Sequence, residues 1–145
     1  MQQTTVKKIL VLGGSGFVGR HVCSRLSLQH HQVTVPTRRA SRAASVQTLP
    51  GLTVIETDVH DDAALTALMA GHAAVVNLIA VLHGDEARFE RMHVQLPQRI
   101  AAAMRQTGVH RLVQVSALGA DAQGPSMYQR SKARGEAVLQ AAGLD

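Results

Sequence analysis

The stretch VLGGSGFVGR at residues 11–20 decides the fold, because it places four glycines directly after an apolar run. Glycine contributes no side-chain packing and costs backbone order, so this density of glycines needs a reason. Residues 7–13, KKILVLG, are typical of a short buried strand, and residues 17–28 carry apolar side chains at helical spacing. The glycines are therefore predicted to form a turn from a strand to a helix.

The rest of the chain continues this alternation of strands and helices. Further strands are predicted at 32–37, 52–57, 73–79 and 111–117. Short helices are predicted at 42–48 and 61–71, and a last helix from a cap at Ser126 to about residue 142. A long helix carries the apolar stripe Phe89, Met92, Leu96, Ile100 and Ala103, with an irregularity at Pro97. Apolar strands alternating with helices indicate a parallel sheet covered on both faces. We predict one α/β domain over residues 1–145, a Rossmann-type doubly wound sheet with strand order 3-2-1-4-5.

The composition narrows the functional classes. The single cysteine, Cys23, is expected in the core and indicates a reducing compartment. The start of the chain lacks the apolar region of a leader, and the longest apolar stretch, 73–82, is too short to span a bilayer. The net charge is +5, but aromatic residues make up only 2%, which disfavours a nucleic-acid surface. The scattered histidines show no metal-site spacing and are interpreted as solvated loop residues.

The glycine turn, read as Gly13-x-x-Gly16-x-x-Gly19, is predicted to bind a dinucleotide. A second register would begin at Gly14, and a purely structural turn is the simpler alternative. In the preferred register Gly13 allows the tight turn, Gly16 lets a pyrophosphate approach the start of the helix, and Gly19 lets the helix pack on the sheet. Ser15, Phe17 and Val18 complete the predicted pyrophosphate-binding turn.

The ends of the other strands supply the remaining candidate cofactor contacts. NAD enzymes carry an acid about 20 residues after the glycines, whereas this chain has VPTRRASR. Arg38 and Arg39 favour the 2′-phosphate of NADP(H) over NAD(H), unless they are ordinary surface arginines. Asp58 and Val59 are candidates to flank the adenine, with a loop role for Asp58 as the alternative, and Ile79 and Ala80 follow the fourth strand as further contacts.

A second constellation combines Ser116, Tyr128 and Lys132. Tyr128 and Lys132 share one face of the last helix, and Ser116 follows the fifth strand. An ammonium beside a tyrosine favours its anion and fits it for proton transfer, while Lys132 could also hold the nicotinamide ribose and Ser116 a substrate carbonyl.

VLGGSGFVGR, TDVHD, VVNLIAVL, VQVSALGAD and YQRSKARGE resemble the short-chain dehydrogenase/reductase superfamily. The likeness is strongest to its extended and atypical members of the NAD-dependent epimerase/dehydratase type, and to bacterial relatives of the nucleotide-binding accessory subunit of respiratory complex I. The resemblance implies that the glycines bind the pyrophosphate, that Asp58 and Val59 lie by the adenine, and that Ser116, Tyr128 and Lys132 are the catalytic set.

Two departures from the resembled family leave enzyme status open. Family members continue through a further strand and a substrate-binding region, whereas this sequence stops at Asp145, so turnover by the isolated chain is not expected. His93 stands where many members have the asparagine of a proton relay; it could replace that asparagine or simply be packed or solvated. We therefore retain two alternatives, an oxidoreductase or epimerase with an unknown small-molecule substrate and a non-catalytic NADP(H)-binding subunit. The expected partners are a second copy of the chain or respiratory-complex subunits, with a cytoplasmic location, peripheral to the inner membrane through such a complex.

Overall fold

One parallel sheet organises residues 5–145, which the computed structural model describes; residues 1–4 of the predicted domain lie outside them. The strands are β1 (Lys8–Leu12), β2 (Gln32–Thr37), β3 (Leu52–Glu56), β4 (Ala74–Asn77) and β5 (Arg111–Gln114). They pair in parallel in the order β3-β2-β1-β4-β5. The predicted fold class and strand order are therefore confirmed.

Helices cover both faces of the sheet, as a parallel sheet requires. They are α1 (Phe17–Leu28), α2 (Asp62–Met69), α3 (Glu86–Glu90), α4 (Leu96–Thr107) and α5 (Met127–Ala141), with a 3₁₀ turn at Ala40–Ala43 and a π turn at Arg91–Gln95. Alternate residues of β1 point to opposite faces. Ile9 and Val11 join one core with Cys23 of α1, and Leu10 and Leu12 join the other with α2 and α4. Among residues 5–145, no helix is long and apolar enough to cross a membrane.

The irregularity predicted at Pro97 lies one turn earlier, in the π turn. Proline has no N–H to donate to the carbonyl four residues before it, so the carbonyl of His93 loses its usual helical partner. Gly135 of α5 packs against this carbonyl, and a Cβ at that position would overlap the carbonyl oxygen. The π turn therefore comes where the helix before Pro97 meets α5.

Three further expectations are corrected by the structure. The helix predicted at 42–48 is a 3₁₀ turn at Ala40–Ala43 followed by turns, and β5 ends at Gln114, before Ser116. His31 and His72 are buried rather than solvated, because polar partners satisfy their rings. The His31 Nδ1 accepts from the Lys7 N–H at 3.1 Å, and the His72 ring bonds the Thr34 hydroxyl at 2.8 Å.

Candidate functional site

The carboxyl ends of four strands surround a cleft of about 200 Å³. Its lining comes from the glycine turn after β1, the ends of β2 and β3 with the turns that follow them, one residue after β4 and the π turn: Gly13, Ser15, Pro36, Thr37, Arg38, Arg42, Thr57, Asp58, Val59, His60, Ile79 and Met92. In doubly wound sheets, ligands bind outside the carboxyl ends of the strands, where the strand order reverses. The strand order reverses between β1 and β4, and Gly13 and Ile79, which follow these two strands, both line the cleft.

The glycine turn leaves open space in front of α1. Gly13 adopts a φ of 80°, and Gly16 donates its N–H to the Gly13 carbonyl at 3.1 Å. A Cβ at Gly19 would overlap that same carbonyl oxygen, so Gly13 and Gly19 are needed by the turn itself. Gly16 is different, because a Cβ there would meet only the Gly13 oxygen, at 3.3 Å. The turn therefore has no packing requirement for glycine at position 16 beyond that one contact.

The start of α1 has the chemistry of an anion site. Gly16 is the N-cap and has no side chain to satisfy the first N–H groups of the helix. No acidic residue lies in the first turn, and Phe17 and Val18 are 75% and 52% exposed. The free N–H groups and the helix dipole favour a phosphate at this end. The turn thus fits the diphosphate of a dinucleotide.

At the end of β2, the structure separates the two arginines that the sequence grouped. Arg38 lines the cleft together with Arg42, whereas Arg39 does not line it. Arg39 is instead the N-cap of the 3₁₀ turn, and its backbone N–H and carbonyl bond the Thr37 hydroxyl at 3.3 and 3.0 Å. The 3₁₀ turn returns Arg42 to the cleft, so the pair of guanidinium-bearing residues at this position is Arg38 with Arg42.

The loop after β3 forms the floor of the cleft. Asp58 is exposed and accepts the His60 N–H at 2.9 Å, while Val59 packs against the core. The His60 Nδ1 is buried and has no hydrogen-bond partner within residues 5–145. Burial lowers the pKa of His60, and the nearby Arg91 lowers it further. This loop therefore presents a carboxylate, an apolar side chain and a neutral imidazole.

The two candidates after β4 have different positions. Ile79 is half-buried and lines the cleft, and its N–H donates to the Asn77 side-chain oxygen at 3.2 Å. Ala80 is exposed and does not line this cleft. Met92, predicted to lie in the core stripe of the long helix, is half-buried and lines the cleft.

Lys132 reaches the segment after β5, beside Ser116 in the sequence. Lys132 is 3% exposed, and its ammonium donates to the carbonyl of Val115, the neighbour of Ser116. Burial lowers the pKa of Lys132, an effect that Glu136 opposes. The Ser116 Oγ is buried and has no hydrogen-bond partner within residues 5–145. An unpaired buried hydroxyl is costly, so this atom is free for a ligand oxygen.

Tyr128 lies in a small aromatic cluster on the first turn of α5. A capping box between Ser126 and Gln129 fixes that turn. The Tyr128 ring meets Phe89 edge-on at 6.4 Å and His93 at 5.5 Å between ring centroids. These contacts hold the ring of Tyr128, and its hydroxyl forms no hydrogen bond within residues 5–145.

His93 is the residue whose importance sequence reasoning underestimated. It is 2% exposed, and its Nε2 accepts the Val81 N–H at 3.0 Å. The other nitrogen, Nδ1, must then carry the proton and donate to the Ser131 hydroxyl at 2.8 Å. Ser131 in turn donates to the Tyr128 carbonyl at 3.1 Å. Burial, together with the Lys132 charge, lowers the pKa of His93 to about 4, so the imidazole is a fixed neutral link between the loop after β4 and α5.

Within residues 5–145, no group of three or more His, Cys, Asp or Glu side chains has the arrangement of a metal site. Cys23 is buried on the sheet side of α1, and burial raises its pKa to about 11.

Comparison with known proteins agrees with this geometry. A family model for NAD(P)H-binding matches residues 13–145. The chain is 34% identical to the mouse mitochondrial NADH dehydrogenase [ubiquinone] 1 alpha subcomplex subunit 9 over 133 residues, which is 87% of this chain and 35% of that protein. The Arabidopsis thaliana protein of the same name is also 34% identical, over 140 residues that cover 90% of this chain and 34% of that protein. The chain thus spans about a third of the length of these relatives.

A solved structure of a putative NAD-dependent epimerase/dehydratase from Bacillus halodurans has the same fold, with a TM-score of 0.84 at 20% identity over 96% of this chain and 67% of that one. The Bordetella bronchiseptica enzyme WbmG, crystallised in complex with NAD, superimposes with a TM-score of 0.83 at 25% identity. The match covers 99% of this chain and 52% of that one. The predicted resemblance, to a dinucleotide-binding fold of the epimerase type and to complex I subunits, is therefore confirmed.

Proposed function

The chain belongs to the NAD(P)H-binding family, and from that premise we propose that it binds NADP(H) in preference to NAD(H). The observation that carries the preference is that Arg38 and Arg42 line the same cleft as Gly13 and Ser15. The segment between them, RRASR, contains no acid that would repel a 2′-phosphate. Guanidinium groups bind phosphate through paired, charge-assisted hydrogen bonds.

Each wall of the cleft has a proposed role in holding the cofactor. The open backbone at Gly16 and the start of α1 bind the diphosphate. Val59 and Ile79 give the adenine an apolar environment, and Asp58 offers its amino group an acceptor. The proposal is supported by the position of Gly13, Val59, Ile79 and Asp58 around one cleft.

The nicotinamide end is proposed to lie by Ser116, Tyr128 and Lys132. A bound nicotinamide supplies hydride transfer. Lys132, already fixed at the Val115 carbonyl, would hold the ribose. Tyr128 would exchange a proton with a substrate oxygen, and the unpaired Ser116 hydroxyl would hold that oxygen in place.

A non-catalytic role as a cofactor-holding subunit is the second candidate, and His93 favours it. Its two ring nitrogens are both engaged inside the protein, so it offers no free position for relaying a proton from Tyr128 to water. The 34% identity to complex I subunits supports respiratory-complex subunits as the partners in that case. An absorbance assay of reduced nicotinamide with a panel of carbonyl substrates separates the two candidates. Turnover that Tyr128→Phe abolishes would establish catalysis, and its absence with intact binding would support the subunit role.

The preference for NADP(H) is tested by calorimetry on Arg38→Ala. A charge-assisted hydrogen bond is worth on the order of 1.5 to 3 kcal/mol, so NADPH affinity should fall by about tenfold or more. NADH affinity should change much less, because NADH lacks the 2′-phosphate. Equal losses for both cofactors would contradict the proposed phosphate contact.

A further inference from the structure

A second cavity, of about 390 Å³, adjoins the cofactor cleft. It is lined by Arg38, Ala87, Arg88, Arg91 and Met92, and we call it the arginine cavity. Arg38 and Met92 also line the cleft, so the two spaces adjoin at these two side chains. A ligand seated in the cleft is therefore within reach of the arginine cavity.

Three arginines enter this cavity from two walls. Arg38 comes from the end of β2, while Arg88 lies on α3 and Arg91 in the π turn. In the described part of the chain none of the three forms an ion pair with a carboxylate. The nearby Glu90 is paired with Arg134 at 2.7 Å. Three unpaired like charges around one cavity repel one another, and a bound anion would offset that cost.

The positive field of these arginines extends into the cleft. His60 lines the cleft, and after burial the largest influence that lowers its pKa is the charge of Arg91, with a smaller one from Arg38. Arg91 and Arg38, from the two walls of the arginine cavity, thus both influence His60 in the cofactor cleft. A phosphate monoester, with a charge near −2 at neutral pH, is the ligand chemistry that such a field favours.

We propose that Arg88 and Arg91 bind the 2′-phosphate of NADP(H) from the wall opposite Arg38, and so determine cofactor specificity. This inference rests on the proposed binding of NADP(H) in the cleft. The diphosphate of the cofactor is already accounted for at the start of α1, which leaves the 2′-phosphate as the remaining anionic group at the adenosine end. The shared lining residues favour this phosphate over a separate anion, because the adenosine would lie directly beside the cavity.

The test is a calorimetric comparison of NADPH and NADH binding to Arg88→Gln/Arg91→Gln. Both residues are exposed, so the fold is expected to survive, and circular dichroism checks this. The matched control is Arg25→Gln/Arg105→Gln, which removes two exposed arginines far along α1 and α4. We expect NADPH affinity to fall at least tenfold in the first variant and NADH affinity less than twofold. The control should leave both within twofold of the unaltered chain.

The outcomes distinguish this inference from the function it rests on. If the unaltered chain does not prefer NADPH, the proposed NADP(H) function fails and this inference fails with it. If the unaltered chain prefers NADPH and the Arg88→Gln/Arg91→Gln variant keeps the full preference, only the opposite-wall contact is wrong. Inorganic phosphate that binds the arginine cavity without competing with NADPH would mark a separate anion site and would also overturn the inference.

Discussion

Replacing Gly16 with valine separates cofactor binding from folding. Gly16 has a φ of −76° and a ψ of −178°, a conformation that valine adopts without strain. Its Cβ would meet only the Gly13 oxygen, at 3.3 Å, a tight contact that a small shift of the turn can relieve. The two methyl groups would then project into the space in front of α1, where the diphosphate is proposed to approach the backbone.

The expected effect on binding is larger than the effect on stability. Blocking the approach of the diphosphate should raise the Kd for NADPH at least tenfold, which corresponds to about 1.4 kcal/mol. An aliphatic residue is a poorer N-cap than glycine, so unfolding should become easier by about 1 kcal/mol or less. Calorimetric titration gives the first quantity and thermal unfolding the second.

Two companion variants make the result specific. Gly16→Ala adds only the Cβ and should weaken NADPH binding less than valine does. Gly19→Ala should instead destabilise the fold, because its Cβ would lie 2.7 Å from the Gly14 Cα and overlap the Gly13 oxygen. A folded Gly16→Val variant that binds NADPH with unchanged affinity would show that the diphosphate does not approach this backbone.

Three further experiments test the remaining parts of the site. Arg42→Ala should weaken NADPH binding by about tenfold, as expected for one charge-assisted contact, while Arg39→Ala should leave it unchanged; equal effects in calorimetry would refute the assignment of Arg42 to the cleft. Lys132→Met should weaken NADPH binding by a similar factor. Tyr128→Phe should leave the affinity for NADPH intact. Loss of binding in Tyr128→Phe would indicate that the Tyr128 hydroxyl contacts the cofactor. Burial lowers the pKa of His93 from 6.5 to about 4, so the unfolded chain binds more protons between these values and stability should fall as the pH drops from 6.5 towards 4. Thermal unfolding at pH 7.5 and pH 5 should show this loss, His93→Gln should reduce it, and an unchanged slope in that variant would assign the loss to other groups.

Strand β1 and the glycine turn were predictable because their signals are local. β1 reads as an apolar run, and it is buried from Ile9 to Leu12 because helices cover both faces of the sheet. The glycines follow it at once, and only a tight turn with close helix packing requires glycine at Gly13 and Gly19. The pattern of the sequence therefore carries the physical requirement directly.

The arginine pair was predicted less well, because its geometry depends on a turn that the sequence does not reveal. Arg38 and Arg39 are neighbours in the chain, so their side chains leave the backbone in different directions as β2 ends. The 3₁₀ turn that begins after Arg39 then brings Arg42 back to the cleft. Because residues 42–48 were predicted to form a helix, Arg42 was not recognised as a residue of the cleft.

The roles of Met92 and His93 could not be found from helical periodicity. A π turn at Arg91–Gln95 widens the helix, so the 3.6-residue pattern changes phase at this place. Met92 consequently lines the cleft, and His93 turns towards Ser131 of α5. Pro97 indicated an irregularity in the helix. It did not indicate that the irregularity is a π turn before the proline, or which side chains this turn redirects.

The central claim is that the cleft at the carboxyl ends of β1 to β4 binds NADP(H), and the most direct measurement is a calorimetric titration of the unaltered chain with NADPH and with NADH. The account predicts saturable binding of one NADPH per chain, tighter than NADH by about tenfold or more, since Arg38 and Arg42 line the cleft and are proposed to bind the 2′-phosphate. Tighter binding of NADH, or no saturable binding of either cofactor by the folded chain, would contradict it.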